Sequence, residues 1–130
     1  MNKTLLTFIF SMALTYVRAD WDMLFCLNAD SVNTCKGRGE KFSYNKDNNT
    51  LQVMVINKES LKVDKLSYMI FLMKSEKEGT LYADLSLNVT PEALFAVKRI
   101  KFLRTGTYKI DVLDASTHLP LTTGTITITE

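Results

Sequence analysis

The chain has 130 residues, of which 46% are hydrophobic and 23% are charged. This composition is typical of one soluble globular domain and excludes a repeat array or a disordered polymer. The 16 basic residues against 14 acidic ones give a net charge of +2, which is too small to indicate nucleic acid or an anionic membrane as the partner. Two Cys, one His and five Gly provide little material for a metal cluster, a catalytic triad or a glycine-rich phosphate loop.

The start of the chain has the layout of a secretory signal peptide. A basic beginning precedes an apolar, uncharged run over residues 5–14, and Val17 and Ala19 occupy the two positions that a signal peptidase reads. The run is shorter than the roughly 20 residues that a transmembrane helix needs, so an uncleaved membrane anchor is the less favoured alternative. We therefore predict a signal-peptide helix over residues 1–19, cleavage after Ala19, and a secreted or periplasmic domain over residues 20–130 that has no membrane span.

Export changes how the two cysteines are interpreted. Cys26 and Cys35 are the only pair, nine positions apart, in a compartment where disulfides persist. A bridge would close a short loop and stabilise the fold by roughly 2–3 kcal/mol. The alternative is two free thiols with Cys26 buried in a strand, because Cys26 lies in an apolar run and free cysteine is often buried. The spacing matches neither a zinc site nor a thioredoxin-type redox motif.

Short apolar and β-branched runs recur along the predicted mature chain, and turn-forming Gly, Asn and Asp residues separate most of them. No window carries a convincing stripe with the 3.6-residue period of a helix. Regular short strands with turns between them indicate an antiparallel sandwich or barrel. The predicted strands cover residues 21–27, 41–45, 51–57, 66–74, 80–89, 95–103, 107–113 and 122–129.

Alternation with a period of two is clearest in the last two predicted strands. Tyr108, Ile110 and Val112 alternate with charged residues, as a half-buried strand requires. Ile126 and Ile128 alternate with threonines in the same way. The threonines predict that the second face of the last strand is exposed to solvent, and this strand is a candidate for the edge of a sheet.

Two central runs are apolar on both faces, unlike a strand that covers a core on one side only. The residues of the second face are Met54 and Ile56 in one run and Met69, Phe71 and Met73 in the other. One explanation is a loop, or the short turn at residues 91–94, that folds over this face. The other is an interaction patch, because large exposed apolar surfaces usually mark binding sites and Met-rich surfaces adapt to varied partners.

Residues 104–112 read Arg-Thr-Gly-Thr-Tyr-Lys-Ile-Asp-Val, which resembles the G-x-Y-x-Φ-x-Φ segment of immunoglobulin-like domains. The resemblance implies a two-sheet antiparallel sandwich of about seven to eight strands, in which Gly106 and Tyr108 form a tyrosine corner whose hydroxyl bonds to nearby backbone. Two features depart from the antibody pattern: Ile110 stands where a cysteine would be, and the third main strand has no Trp. The chain is thus similar to the divergent immunoglobulin-like class, including small secreted bacterial β-sandwich proteins of unassigned function.

Three stretches carry polar side chains of chemical interest, and each is predicted to be a turn or loop. Asp114, Ser116 and His118 are near neighbours in the chain, and such residues rarely converge into a triad with an oxyanion-stabilising group. Residues 45–49 have oxygen ligands at alternate positions but lack the central Gly and distal Glu of a calcium loop. Residues 36–41 form a basic stretch that is typical of a solvated loop. No catalytic residue, metal site or cofactor is predicted.

These observations predict a secreted or periplasmic, non-catalytic protein that binds another protein or a cell surface. The alternative is a structural or accessory subunit of an envelope assembly, docked by sheet extension through the apolar face or the terminal strand. A protease inhibitor and an unrecognised hydrolase are less favoured. The chain lacks the N-P-T-T-G-Y and R-P-W strings of immunoglobulin-fold inhibitors of cysteine proteases. Nucleic acid is not an expected partner.

Overall fold

A computed structural model of the chain describes the backbone of residues 7–9 and the whole of residues 20–29 and 34–130. This part of the chain is built from strands joined by turns and loops. The strands are β1 (Thr7–Ile9), β2 (Trp21–Cys26), β3 (Asn28–Ala29), β4 (Cys35–Lys36), β5 (Lys41–Ser43), β6 (Thr50–Asn57), β7 (Lys65–Met73), β8 (Glu78–Asn88), β9 (Phe95–Lys101), β10 (Gly106–Asp114) and β11 (Pro120–Thr129).

The predicted strands agree closely with the observed ones. Each of the eight predicted runs holds a strand, β2 or one of β5 to β11, and no end differs by more than two residues. The β-branched and aromatic side chains of these runs fit the pleated, half-buried surface of a sheet. The all-β prediction is therefore confirmed. The strands β3 and β4 were not predicted, because stretches of two residues are too short to show a periodic pattern. β1 was not predicted either, because its run has the character of a leader.

The predicted signal peptide is described only in part. Thr7–Ile9 form β1, an extended strand where a helix was predicted, and pair antiparallel with the start of β8. The other residues of the leader, with the predicted cleavage site after Ala19, lie outside the described residues. Cleavage of the leader therefore stays a prediction.

The described strands form a six-stranded sheet, a three-stranded sheet and one pair of short strands. The six-stranded sheet, called the larger sheet below, has the order β1-β8-β7-β10-β11-β5. The three-stranded sheet, called the smaller sheet, has the order β2-β6-β9, and β3 pairs with β4. The pairings are antiparallel except that of β11 with β5, which is parallel. The prediction of a fully antiparallel sandwich is wrong at this point, because β5 reaches the last strand from a distant part of the chain and not through a hairpin. Residues 127–129 of β11 are consequently not a sheet edge.

The inward faces of the larger and the smaller sheet enclose one hydrophobic core. Alternate residues along each strand supply it, as Val53 and Val55 do on β6 and Tyr108 does on β10. This alternation is the physical origin of the period-two pattern in the sequence. Among the residues that the structure describes in full, the buried residues of this core all fall between Trp21 and Ile128.

Gly124 allows the two sheets to approach closely at one side of the core. It lies on β11 opposite Ile110 and faces inward. A Cβ atom on Gly124 would lie 2.8 Å from Phe25 Cζ and 2.9 Å from Met23 Sδ, and both of those side chains belong to β2. A larger residue would force the ends of the Phe25 and Met23 side chains to shift, at the cost that overpacking brings.

Tyr68 is a core residue with an unsatisfied polar group. Among the described residues, its hydroxyl is a buried side-chain atom that has no hydrogen-bond partner. The ring lies on β7 between Leu85 and Val112 of the neighbouring strands. Burial raises the pKa of this hydroxyl, because an ionised oxygen in the core would lose its hydration. A buried donor left unpaired costs about 1–3 kcal/mol.

Replacing Tyr68 with phenylalanine is therefore expected to raise the free energy of unfolding by about 1 kcal/mol, since the unpaired hydroxyl is removed and the ring is kept. Urea denaturation measures the change. Tyr82→Phe is the matched control, because the Tyr82 hydroxyl accepts from the Leu103 amide over 2.9 Å and donates to the Lys101 carbonyl over 3.1 Å. That control should lose stability. A Tyr68→Phe variant less stable than the parent would contradict this account.

Candidate functional site

The residues of the predicted interaction patch do not share a surface. Met54 and Ile56 lie on the outward face of the smaller sheet. The other three, Met69, Phe71 and Met73, lie on the outward face of the larger sheet, across the core. Met54 is 0% exposed and Phe71 is 3% exposed, whereas the remaining three are half-buried. The expectation of one exposed apolar patch is corrected, because the two central runs belong to different sheets.

A disulfide-linked segment covers the outward face of the smaller sheet. The sulfur atoms of Cys26 and Cys35 are bonded, and their Cα atoms are 5.3 Å apart. The Ala29 amide donates to the Gln52 side-chain oxygen over 2.9 Å, which ties the segment to β6. Cys26 and Ala29 pack with Met54 in a second, smaller cluster of buried residues. The apolar second face of β6 is therefore explained by this covering segment, which is not the turn at residues 91–94.

The outward face of the larger sheet carries neighbouring apolar side chains, which we call the outer cluster: Met69, Phe71, Met73 and Leu81. Phe71 pairs with Leu81 across β7 and β8, and Leu81 is 38% exposed. Leu81 faces outward because the pairing of the two strands shifts by one residue between Ile70 and Phe71. Such a bulge changes which residues of β8 face the core.

Charged and hydroxyl side chains border the outer cluster on the same face. Lys109 pairs with Phe71, and its Nζ lies 2.9 Å from Asp111 Oδ1 and 3.0 Å from Asp111 Oδ2. Thr123 Oγ1 donates to Asp111 Oδ1 over 2.7 Å. A groove of about 500 Å³ beside them is lined by Met73, Lys74, Ser75, Glu76, Thr107, Lys109 and Thr125. The face combines apolar area with oriented polar groups, as protein-binding surfaces do.

β1 occupies the open side of β8 at the first residues of that strand. The register places Phe8 opposite Gly79. On the other side, the Lys74 amide donates to the Glu78 carbonyl over 2.7 Å. Because backbone groups alternate in direction along a strand, the amide and carbonyl of Gly79 face β1. The edge of β8 therefore offers main-chain hydrogen bonds at this point.

Other groups protect the edge of β8 further along. Tyr82 is the extra residue of the bulge, and its hydroxyl donates to the Lys101 carbonyl. Lys98, on β9 of the smaller sheet, donates from Nζ to the Ser86 carbonyl over 3.2 Å. Bulges and lysines are devices that keep sheet edges from pairing with other chains. In the part of the chain that the structure describes, β8 pairs only with β7 from Leu81 onwards.

Gly106 and Tyr108 lie where the chain passes from β9 of the smaller sheet to β10 of the larger one. The Tyr108 hydroxyl donates to the Arg104 carbonyl over 2.7 Å. Its ring meets those of Phe102 and Tyr82 edge to face, with centroids 4.8 and 5.1 Å away. Burial and the nearby Tyr82 raise the pKa of Tyr108 to about 12. Gly106 has a φ of +147°, which a residue with a side chain rarely adopts. These contacts anchor the start of β10 in the core.

The side chains considered for catalysis lie in the turn between β10 and β11. The His118 amide donates to the Asp114 carbonyl over 2.7 Å, and the Ser116 amide donates to Asp114 Oδ1 over 2.9 Å. The Asp114 carboxylate is thus directed to the backbone of the turn. Residues 45–49 also form a turn, which joins the two sheets. No group of three His, Cys, Asp or Glu side chains that could hold a metal ion occurs among the described residues.

Sequence reasoning missed two parts of this site. Leu81 lies two residues before Ala83 and four before Leu85, and both of those side chains pack against the core. Because side chains alternate between the two faces of a strand, Leu81 would be expected to face the core as well. The sequence contains no signal for the bulge that turns it outward. β1 lies within the run over residues 5–14 and includes Thr7 and Ile9. Their β-branched side chains are compatible with a strand, but the same run is typical of a leader.

No protein-family model, no characterised protein and no solved structure matches the chain. No helix within residues 7–9, 20–29 and 34–130 has the length and apolar character needed to cross a bilayer. The proposals that follow rest on the geometry of the outer cluster and of the β8 edge.

Proposed function

We propose that the protein is an exported, non-catalytic, immunoglobulin-like β-sandwich that binds another protein through the outward face of its larger sheet. The observation that carries this proposal is the position of the outer cluster, directly beside the edge of β8. Apolar side chains on the outward face of a sheet mark interaction sites where they are exposed to solvent. Leu81 is the exposed member of the outer cluster and lies at the centre of the proposed contact.

The strand order supports the immunoglobulin-like assignment. One sheet is β2-β6-β9, and the six-stranded sheet contains β8-β7-β10-β11 between the short strands β1 and β5. Without those two short strands, the division into three and four strands is one that sandwiches of this class use. The hydrogen bond from Tyr108 to the Arg104 carbonyl is the contact expected of a tyrosine corner at the turn into the penultimate strand. A rigid frame of this kind hosts many binding functions, so the proposed function depends on the surface and not on the fold.

Export is supported by two separate features of the chain. Residues 1–19 have the pattern of a signal peptide. The bond between Cys26 and Cys35 is of a kind that persists in secreted and periplasmic proteins and is rare in the cytosol. The proposed partner is accordingly a protein of the cell envelope or the cell surface.

The non-catalytic assignment is supported by the direction of the candidate side chains. A triad needs a carboxylate that orients the imidazole through a hydrogen bond. The Asp114 carboxylate instead accepts from the Ser116 amide, and His118 bonds to Asp114 through its backbone. The proposal includes no cofactor and no nucleic acid, and the net charge of +2 gives no electrostatic reason for the latter.

A structural or accessory subunit that docks by sheet extension is the second candidate. The pairing of β1 with β8 favours it, because that edge accommodates an added strand. This candidate differs from the first in its role: the protein would be a permanent part of an envelope assembly, whereas in the first it is a separate protein that binds its partner.

A photo-reactive amino acid placed at position 81 of the exported protein tests the proposed function. In the host's own cells we expect a covalent adduct with one envelope or surface protein, because Leu81 lies at the centre of the proposed contact. The matched position is Leu119, which is 51% exposed in the connection between β10 and β11. Position 119 should give no such adduct. Equal labelling at the two positions, or no adduct at position 81, would contradict the proposal.

A further inference from the structure

We propose that residues 78–80 of β8 form a strand-accepting site, which an extended apolar segment of the partner enters once the leader has been removed. This inference rests on the proposed function and specifies the chemistry of the partner. In the full chain the same edge holds β1, so the leader and the partner segment compete for one position.

β1 identifies the kind of segment that this edge accepts. Thr7-Phe8-Ile9 is uncharged and pairs antiparallel with β8, with Phe8 opposite Gly79. The amide and carbonyl of Gly79 face this added strand and supply hydrogen bonds that do not depend on the strand's side chains. Main-chain pairing of this kind provides affinity, while pockets for alternate side chains provide specificity.

The side-chain preference follows from the register. Paired residues of neighbouring strands project to the same side of a sheet. Gly79 pairs with Met73 on β7, which belongs to the outer cluster, so a residue opposite Gly79 projects to the outward face. Gly79 has no side chain, and the Met73 sulfur lies over it, 2.6 Å from where a Cβ atom would be. A large apolar residue opposite Gly79 would therefore meet the Met73 side chain. The expected partner segment is extended and uncharged, with an aromatic or branched apolar residue at this position.

The site is confined to the start of β8. The bulge at Tyr82 and the Lys98 side chain on the Ser86 carbonyl protect the remainder of the edge. Pairing of β8 with β8 of a second copy along the length of the strand is opposed by the bulge at Tyr82 and by the Lys98 side chain. We therefore assign the site to a strand of the partner and not to a second copy of this chain. Pairing limited to residues 78–80 of two copies is tested below by sedimentation.

Binding of a peptide to the chain of residues 20–130 tests the inference. This part contains every buried residue of the described core, and a cooperative urea denaturation transition of the shorter chain establishes that it is folded before the peptide is added. The probe is a fluorescent peptide with residues 4–12 of this protein, flanked by lysines for solubility, and fluorescence anisotropy is the readout. We expect saturable binding that weakens at least tenfold in Leu81→Lys, which corresponds to about 1.4 kcal/mol. Leu119→Lys is the matched variant and should leave the affinity unchanged.

Methylation of single amides in the peptide separates strand pairing from apolar adhesion. The Phe8 amide faces β8, because Phe8 pairs with Gly79, whose amide and carbonyl are directed towards β1. The Thr7 amide faces away from β8, because backbone groups alternate in direction along a strand. Methylating the Phe8 amide should abolish binding. Methylating the Thr7 amide adds the same methyl group without removing a hydrogen bond to β8, and the affinity should persist.

Three results would overturn the inference. They are the lack of saturable binding, equal affinity of the two methylated peptides, and self-association of the chain of residues 20–130 that Leu81→Lys abolishes in sedimentation experiments. The cross-linking experiment distinguishes the two proposals. An adduct at position 81 without peptide binding overturns strand addition and leaves the proposed function standing, whereas peptide binding without an adduct supports the strand site and contradicts the proposed function.

Discussion

Replacing Tyr108 with alanine is expected to lower the free energy of unfolding by about 3–5 kcal/mol, the cost of removing a large buried aromatic side chain. The ring is fully buried and contacts Phe102 and Tyr82 edge to face. Its loss leaves a cavity where the chain passes from one sheet to the other, and the Arg104 carbonyl loses its donor. Urea denaturation of the chain of residues 20–130 measures the effect.

Tyr108→Phe separates the ring from the hydroxyl. It keeps the aromatic contacts and removes only the hydrogen bond to Arg104, so the expected loss is about 1 kcal/mol. If the phenylalanine variant loses as much stability as the alanine variant, packing of the ring is not what anchors the start of β10. An alanine variant as stable as the parent would contradict the proposed role of Tyr108 altogether.

Replacing Cys26 and Cys35 together with alanine should lower the free energy of unfolding by about 2–3 kcal/mol, because the unfolded chain gains the freedom that the bridge removes. A local effect is also expected. The disulfide-linked segment buries Met54 on the outward face of the smaller sheet, so Met54 should become open to oxidation by peroxide. Urea denaturation and mass spectrometry of the oxidised protein measure the two effects.

Met73 provides the internal control for that oxidation, since it lies on the other sheet and is not a member of the buried cluster that contains Met54. Its oxidation rate should be the same with and without the bridge. Reduction of the disulfide in the unmodified protein should reproduce the loss of stability seen in the double variant. Unchanged stability together with an unchanged oxidation rate of Met54 would mean that the bridge does not hold the segment in place.

Eight of the eleven described strands could be predicted, because their runs carry a local pattern. Tyr108, Ile110 and Val112 alternate with charged residues in the sequence, and β10 buries those three residues. The motif around Gly106 likewise indicated that the Tyr108 hydroxyl bonds to nearby backbone, and the Arg104 carbonyl is only four residues away. Features that depend on neighbours in the chain are accessible to sequence reasoning.

The candidate site depends on contacts between distant residues, and for that reason it could not be predicted. Met54 is covered because a disulfide folds another segment back over it. Leu81 faces outward because the pairing of β7 with β8 shifts by one residue, whereas alternation alone would place Leu81 in the core. The parallel pairing of β5 with β11 joins segments from opposite parts of the chain. None of these contacts leaves a periodic trace in the sequence.

Hydrogen exchange of the Gly79 amide, followed by NMR, tests the central claim most directly. Three samples are compared: the full chain, the chain of residues 20–130, and that shorter chain with the peptide of residues 4–12. Because the Gly79 amide faces β1, we predict slow exchange in the full chain, fast exchange after removal of the leader, and slow exchange again with the peptide bound. Equal exchange in all three samples would show that β8 has no strand-accepting edge and would contradict the account.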